Sequence, residues 1–341
     1  MAVSLRRLAS ATGQEKENMT TMYSSILVPL DGSLLSEHAL PLACALALRA
    51  NALLRLVHVH TLSTSPIYIE GQPVIDENLV SLSQEHERIY LERIKHQLAS
   101  VAGPQLDITV NVLERPMESI VSEPLAVFLA NYLLTTGVDL VVMTTHGRSG
   151  LERFWLGSVA DTLVRLSSIP ILLLRPTDSA INYAHPPSLR KILIPLDGSS
   201  LAEQILEPAL AVGEVLHAEY TLLRVVKPAT FAGFSSRPQM ERLDMETNRE
   251  MEAAATNYLS NVAQRLQTAD HQIWTRVLFA NNPASAILED AQHHATELIA
   301  LATYGRSDWA HLTLGSVADK VLRGATVPVL IYRPREGGVE G

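Results

Sequence analysis

Ile26-Leu27-Val28-Pro29-Leu30-Asp31-Gly32-Ser33 returns 166 residues later as Ile192-Leu193-Ile194-Pro195-Leu196-Asp197-Gly198-Ser199, with one position changed. Two more stretches repeat. Gly147-Arg148-Ser149 recurs as Gly305-Arg306-Ser307, and Gly157-Ser158-Val159-Ala160-Asp161 as Gly315-Ser316-Val317-Ala318-Asp319. Each copy also closes alike, with Ile169-Pro170 and Arg175-Pro176 matching Val327-Pro328 and Arg333-Pro334. Self-similarity at such a period makes the chain two copies of one unit, and 341 residues suit two domains.

Inside the first copy, short apolar runs alternate with longer helical patterns. Strands are expected at Ile26 to Leu30, Leu53 to Val59, Ile108 to Leu113, Leu140 to Thr145 and Ile171 to Leu174. Helices are expected at Leu34 to Arg49, around Glu77 to Val101, after Pro116, and from Gly157. The second copy follows the same order from Ile192 to Tyr332. Strands apolar on both faces and separated by helices imply a parallel sheet covered on both sides, an α/β doubly wound fold. Ligands of such folds bind outside the carboxyl ends of the strands, where strand order reverses.

The boundaries read as an N-terminal lead over 1–22, a first domain over 23–176, a linker over 177–190 containing Pro186-Pro187, a second domain over 191–335, and a tail over 336–341. The polar run Thr12 to Thr21 reads as an unstructured lead, and Met22 is a candidate start. The repeat offset falls from 166 at the first motif to 158 at the glycine loop. Matching Pro116 with Pro283 puts the eight extra residues of the first copy around Glu123 to Tyr132, an expected lengthening of one helix by about two turns.

Composition narrows the function. With 47% hydrophobic and 18% charged residues the chain reads as folded and soluble. A formal net charge of -9 with no basic tract disfavours nucleic acid and anionic membrane as partners. No apolar stretch is long enough to cross a bilayer, and Arg6 and Arg7 lack the apolar run of a signal peptide behind them. The single cysteine, Cys44, lies in an apolar run and reads as an inert core thiol, in keeping with a reducing cytoplasm. The His58/His60 and His293/His294 pairs lack Cys or carboxylate partners at metal-ligand spacing, so no metal is expected. No G-x-x-x-x-G-K-[ST] loop is present.

Two constellations carry chemistry. Asp31 follows a strand at the carboxyl edge of the sheet, where its carboxylate could accept a hydrogen bond from a base amine or a ribose hydroxyl. It could equally serve as the turn and cap residue of the next helix. Gly147 is followed after nine residues by Gly157-Ser158, a spacing repeated at Gly305 and Gly315-Ser316. Glycine lets backbone approach a ligand, and Gly-Ser at a helix start offers N–H donors and a hydroxyl to phosphate. Arg148 and Arg306 are placed to reach phosphate. His146, replaced by Tyr304 in the second copy, reads as a packing or backbone-bonding residue.

These motifs, over nearly all of residues 23 to 335, resemble the universal stress protein family. The resemblance implies two tandem Rossmann-like domains of the adenine nucleotide alpha hydrolase-like type, each with a five-stranded parallel sheet, forming an intramolecular pseudo-dimer through their last strands. A further homodimer is left open. One subgroup of the family binds ATP. Transferred position by position, its site implies Pro29, Asp31, Val59, Met143, Gly147, Gly157, Ser158 and Val159 in repeat 1, to which Thr144 and Arg148 are added as neighbouring candidates. In repeat 2 it implies Pro195, Asp197, Val225, Leu301, Gly305, Gly315, Ser316 and Val317, to which Ala302 and Arg306 are added in the same way. The first glycine of the subgroup's motif is replaced by Thr144 in one copy and Ala302 in the other.

The implied ligand is therefore an adenine nucleotide, ATP with or without Mg2+, bound without rapid turnover by a cytoplasmic stress-response or regulatory protein. An interaction scaffold with empty pockets is the alternative reading. Slow ATP hydrolysis ranks third, since no nucleophile, metal cluster or paired catalytic carboxylates can be identified. Repeat 2 carries Asp308 where repeat 1 has Gly150, and a carboxylate facing phosphate costs on the order of 1 kcal/mol. The stronger site is accordingly expected in repeat 1.

Overall fold

The computed structural model describes residues 23–61, 67–69, 72–74, 77–115, 123–145, 156–177, 179–229, 238–267, 271–303 and 314–333. Repeat 1 begins with β1 (Ser25–Pro29), two helices α1 (Leu34–Glu37) and α2 (Leu40–Ala50), and β2 (Leu53–Val59). A small antiparallel pair, β3 (Ile67–Ile69) and β4 (Gln72–Val74), precedes the long helix α3 (Glu77–Ala102). Then come β5 (Ile108–Leu113), α4 (Leu125–Thr135), β6 (Leu140–Thr144), α5 (Ser158–Leu166) and β7 (Ile171–Leu174). Repeat 2 runs β8 (Lys191–Pro195), α6 (Ser200–Glu203), α7 (Leu206–Leu216), β9 (Glu219–Val226), α8 (Pro238–Leu266) and β10 (Ile273–Phe279). It ends with α9 (Pro283–His293), β11 (Leu298–Ala302), α10 (Ser316–Gly324) and β12 (Val329–Tyr332).

The single helix expected over Leu34 to Arg49 is two. Pro41 sits in the first turn of α2, where its missing N–H would be unpaired in any case; in a continuous helix that N–H would have been needed by the Glu37 carbonyl. The expected lengthening after Pro116 is also corrected. Helices α4 and α9 are both eleven residues long. Eleven residues, 114–124, separate β5 from α4, whereas three, 280–282, separate β10 from α9. The extra residues therefore precede the helix. Pro283 opens α9, and the residue that opens its counterpart is Leu125, not Pro116.

One ten-stranded sheet runs β10-β9-β8-β11-β12-β7-β6-β1-β2-β5. Within each half all pairings are parallel, and the halves meet where β12 pairs antiparallel with β7, Leu330 opposite Leu172. Alternation along β1 sends Ile26 and Val28 to one face and Leu27 to the other. The first face is covered by α2, α3, α7 and α8, the second by α4, α5, α9 and α10, and each apolar layer continues across both repeats. Across the junction α2 packs on α7, the Tyr23 hydroxyl donates to the Pro208 carbonyl at 3.0 Å, and the Tyr183 hydroxyl donates to Glu37 at 3.1 Å.

Strand order reverses beside β1, which has β2 on one side and β6 on the other. The equivalent point of repeat 2 lies at β8, between β9 and β11. The carboxyl ends of these strands define two crevices.

Candidate functional site

At each crevice the turn after the first strand is built alike. Asp31 Oδ1 accepts from the Ser33 N–H at 3.0 Å and its hydroxyl at 2.6 Å, and Asp197 Oδ1 accepts from Ser199 at 2.9 and 2.6 Å. The serines, in turn, cap the following helices, accepting from the Ser36 and Ala202 N–H groups. The helix cap is thus the serine, and the aspartate holds it in place. Gly32 and Gly198 have φ of 81° and 82°, a left-handed conformation that any side chain would strain, so the glycine of Asp-Gly-Ser is needed to make this turn.

The opposite wall is a helix N-terminus. Gly157 caps α5 and Gly315 caps α10, neither with a side-chain cap bond, and the first-turn N–H groups of a helix are ones that can bind an anion. Each glycine is tied to the neighbouring strand, Gly157 N–H to the Thr145 carbonyl at 2.6 Å and Gly315 N–H to the Thr303 carbonyl at 2.8 Å. The first-turn carboxylates do not oppose an anion unscreened: Asp161 is paired with Arg165, and Asp319 with Arg323, at 2.8–3.0 Å.

In repeat 2 these elements enclose a cavity of about 170 Å3. Pro195, Asp197, Val225, Leu301, Ala302, Gly315, Ser316 and Val317 all line it, with Thr303, Ile287 and Val321 among the remaining wall residues. In repeat 1, Pro29 and Val59 end β1 and β2, Asp31 follows β1, Met143 and Thr144 close β6, and Gly157, Ser158 and Val159 open α5. Gly147, Arg148, Gly305 and Arg306, together with His146, Tyr304, Gly150 and Asp308, lie outside the described residues. Thr303 is absent from the sequence reading. Its hydroxyl is buried and has no hydrogen-bond partner among the described residues, although it sits in the cavity wall. The signal was its identity with Thr145 at the end of the matching strand.

A sequence model of the Universal stress protein family matches residues 22–175 and again 188–333. The chain belongs to the universal stress protein family. A universal stress protein of Mycolicibacterium smegmatis is 25% identical over 312 residues, covering 91% of this chain and 97% of that one. A universal stress protein of Mycobacterium tuberculosis is 25% identical over 201 residues, 59% of this chain, and the match spans 63% of that relative's length. Among solved structures, a universal stress protein from Archaeoglobus fulgidus shares the fold with a TM-score of 0.57 at 18% identity, covering 91% of this chain and 98% of its own.

The two universal stress protein repeats differ beneath the site turns. In repeat 2, Arg224 donates to the Leu196 carbonyl at 3.2 Å and lies 5.9 Å from the Tyr258 ring centre. At the matching place repeat 1 has His58, and Glu87 from α3 takes His60 Nδ1 at 2.9 Å with His58 Nε2 at 3.6 Å. The histidine pair therefore has a carboxylate partner that sequence spacing hid, yet among the described residues no group of three His, Cys, Asp or Glu could hold a metal. Burial pushes the Glu87 carboxyl up, but the hydrogen bonds and charges of His58 and His60 outweigh it and leave the group below the ordinary glutamate range.

A depressed carboxyl contributes stability that is present above the unfolded-state value and is lost as pH falls through the folded one. Glu87→Gln is expected to cost about 1 kcal/mol at neutral pH, and the gap to wild type should close in acid. Urea unfolding at a series of pH values checks this, and a gap that persists undiminished at about pH 2 would show that the charge of Glu87 is not its source.

No described helix is long and apolar enough to cross a membrane.

Proposed function

We propose that this universal stress protein binds an adenine nucleotide, ATP in the first place, at the crevice of each repeat, and that it holds the nucleotide rather than consuming it. The observation that carries the reading is the convergence in repeat 2. Eight of the ten candidate residues of repeat 2 line one cavity, and the other two, Gly305 and Arg306, lie outside the described residues. The chemistry of the wall fits. Val225, Leu301 and Val317 offer an apolar slot to a base, Asp197 an acceptor to an amino or ribose hydroxyl group, and the start of α10 its N–H groups to phosphate. Any Mg2+ would arrive with the triphosphate, since the described residues form no cage for it.

The protein is read as a cytoplasmic regulatory module of the stress response, a step that rests on family analogy. Repeat 1 is expected to bind more tightly, because Gly150 replaces Asp308. An interaction scaffold is the second reading, favoured by the loss of the first motif glycine at Thr144 and Ala302. Slow ATP hydrolysis is third.

Denaturing the purified protein and measuring released nucleotide per chain by chromatography tests the order. About one ATP per chain supports a single tight site, and about two per chain removes the ranking of repeat 1 over repeat 2. Added ATP at a hundredfold excess over Kd should also stabilise the fold by about 2.7 kcal/mol. If no nucleotide is recovered and the melting temperature does not move, the scaffold reading replaces this one.

A further inference from the structure

We propose that Arg175 and Arg333 are positioning residues, each acting on the pocket of the repeat it does not belong to. The inference rests on the nucleotide reading only for what the pockets hold. Its geometry is independent of the ligand.

The last carbonyls of a helix lack partners within it. Arg333, just beyond β12, donates through Nη1 to the Leu166 carbonyl, the last residue of α5, at 3.3 Å. Arg175, just beyond β7, donates through Nη2 to the Arg323 carbonyl in the last turn of α10, at 3.2 Å. Each is a cation at the negative end of a helix dipole, and each crosses from one repeat to the other. The opposite ends of those same helices are the pocket walls, Gly157-Ser158 and Gly315-Ser316.

The arginines are themselves fixed by the pocket on their own side. The carbonyl of Leu174, next to Arg175, accepts from the Thr145 N–H at 2.8 Å, and the Thr145 carbonyl accepts from Gly157. The carbonyl of Tyr332, next to Arg333, accepts from the Thr303 N–H at 2.9 Å, and the Thr303 carbonyl accepts from Gly315. The frame of one pocket thus continues, through two backbone hydrogen bonds and one guanidinium, to the far end of the helix that walls the other. The same circuit occurs twice, once in each direction. At nine residues, α5 and α10 are short enough to move as rods, so a loosened C-terminal end displaces the N-terminal one. The helices also feel each other directly, since Asp161 of α5 acts on the charge of Arg323 in α10.

The test uses the full chain without added nucleotide, comparing Arg175→Met and Arg333→Met with wild type by residue-resolved amide hydrogen exchange. Methionine keeps most of the stem and removes the guanidinium. Arg175→Met should speed exchange at the Gly315 and Asp319 amides about tenfold, the scale of one lost hydrogen bond from a charged donor. Gly157 and Asp161 should stay within about twofold of wild type. Arg333→Met should give the mirror image, and Arg175→Lys should recover part of the protection.

Opening confined to the mutated residue's own repeat, or equal in both, overturns the proposal as a local or global loss of stability. In a second arm ATP is titrated while the Gly157 and Gly315 amide signals are followed. Arg175→Met should weaken binding at Gly315 about tenfold and spare Gly157; unchanged affinity at Gly315 overturns the positioning role. Wild-type protein that binds no ATP at either glycine refutes the nucleotide reading instead, and the exchange arm still decides the inference.

Discussion

Gly213→Ala is expected to destabilise the protein by about 3 kcal/mol, the opposite sign to the usual gain of up to about 1 kcal/mol for replacing a mid-helix glycine by alanine. Gly213 lies in α7 against Tyr220 of β9, whose ring is 1% exposed and whose hydroxyl donates to the Leu210 carbonyl at 3.2 Å. A Cβ on Gly213 would sit 2.2 Å from the tyrosine hydroxyl oxygen and 2.5 Å from Cζ. The ring cannot retreat, because His271 stands edge-on to it at 5.5 Å between centroids. In repeat 1 the matching residues are Ala47 and Leu54, both fully buried, so one methyl has been exchanged for the larger ring. Gly213→Ala with Tyr220→Leu should therefore unfold at a urea concentration nearer wild type than Gly213→Ala alone. A double variant no more stable than the single one would place the cost elsewhere.

Asp290→Ala should cost about as much, roughly 3 kcal/mol, by stranding a charge. Asp290, 4% exposed on α9, pairs with Arg276 of the edge strand β10, and Arg276 Nη1 lies 3.0 Å from His294 Nδ1. Removing the carboxylate leaves a half-buried guanidinium facing an imidazole. Asp290→Asn, which keeps an acceptor oxygen, should lose less. Equal losses for the two variants in urea unfolding would mean that shape, not charge, governs the site.

The sheet was legible because its strands are apolar on both faces and recur in both copies. Strands β2, β5 and β7 fall on the residues expected from the runs Leu53–Val59, Ile108–Leu113 and Ile171–Leu174. The break between α1 and α2 was legible too, in Pro41, had its missing N–H been counted against Glu37. The extra residues of repeat 1 were misplaced because the only landmark near them was proline. Pro116 and Pro283 look equivalent in sequence, but Pro283 starts α9, whereas the matching helix α4 starts at Leu125.

The site was partly legible. Asp31, Asp197, Gly157 and Gly315 stand out as glycine and turn chemistry at strand and helix ends. Thr303 did not, since a threonine ending a strand is ordinary until its hydroxyl is found buried without a partner among the described residues. Glu87 escaped for a different reason. It is 27 residues from His60, and only the packing of α3 across the sheet brings them together.

The antiparallel join of β12 to β7 has a consequence for how the two halves can change. Two separate chains paired in this way would part on dilution, and every substitution would strike both copies at once. Here the chain between β7 and β8 tethers the halves, and a short tether sets an effective local concentration of about millimolar that dilution cannot lower. Each half is then free to differ from the other, as Gly213 and Tyr220 of repeat 2 differ from Ala47 and Leu54 at the matching places of repeat 1.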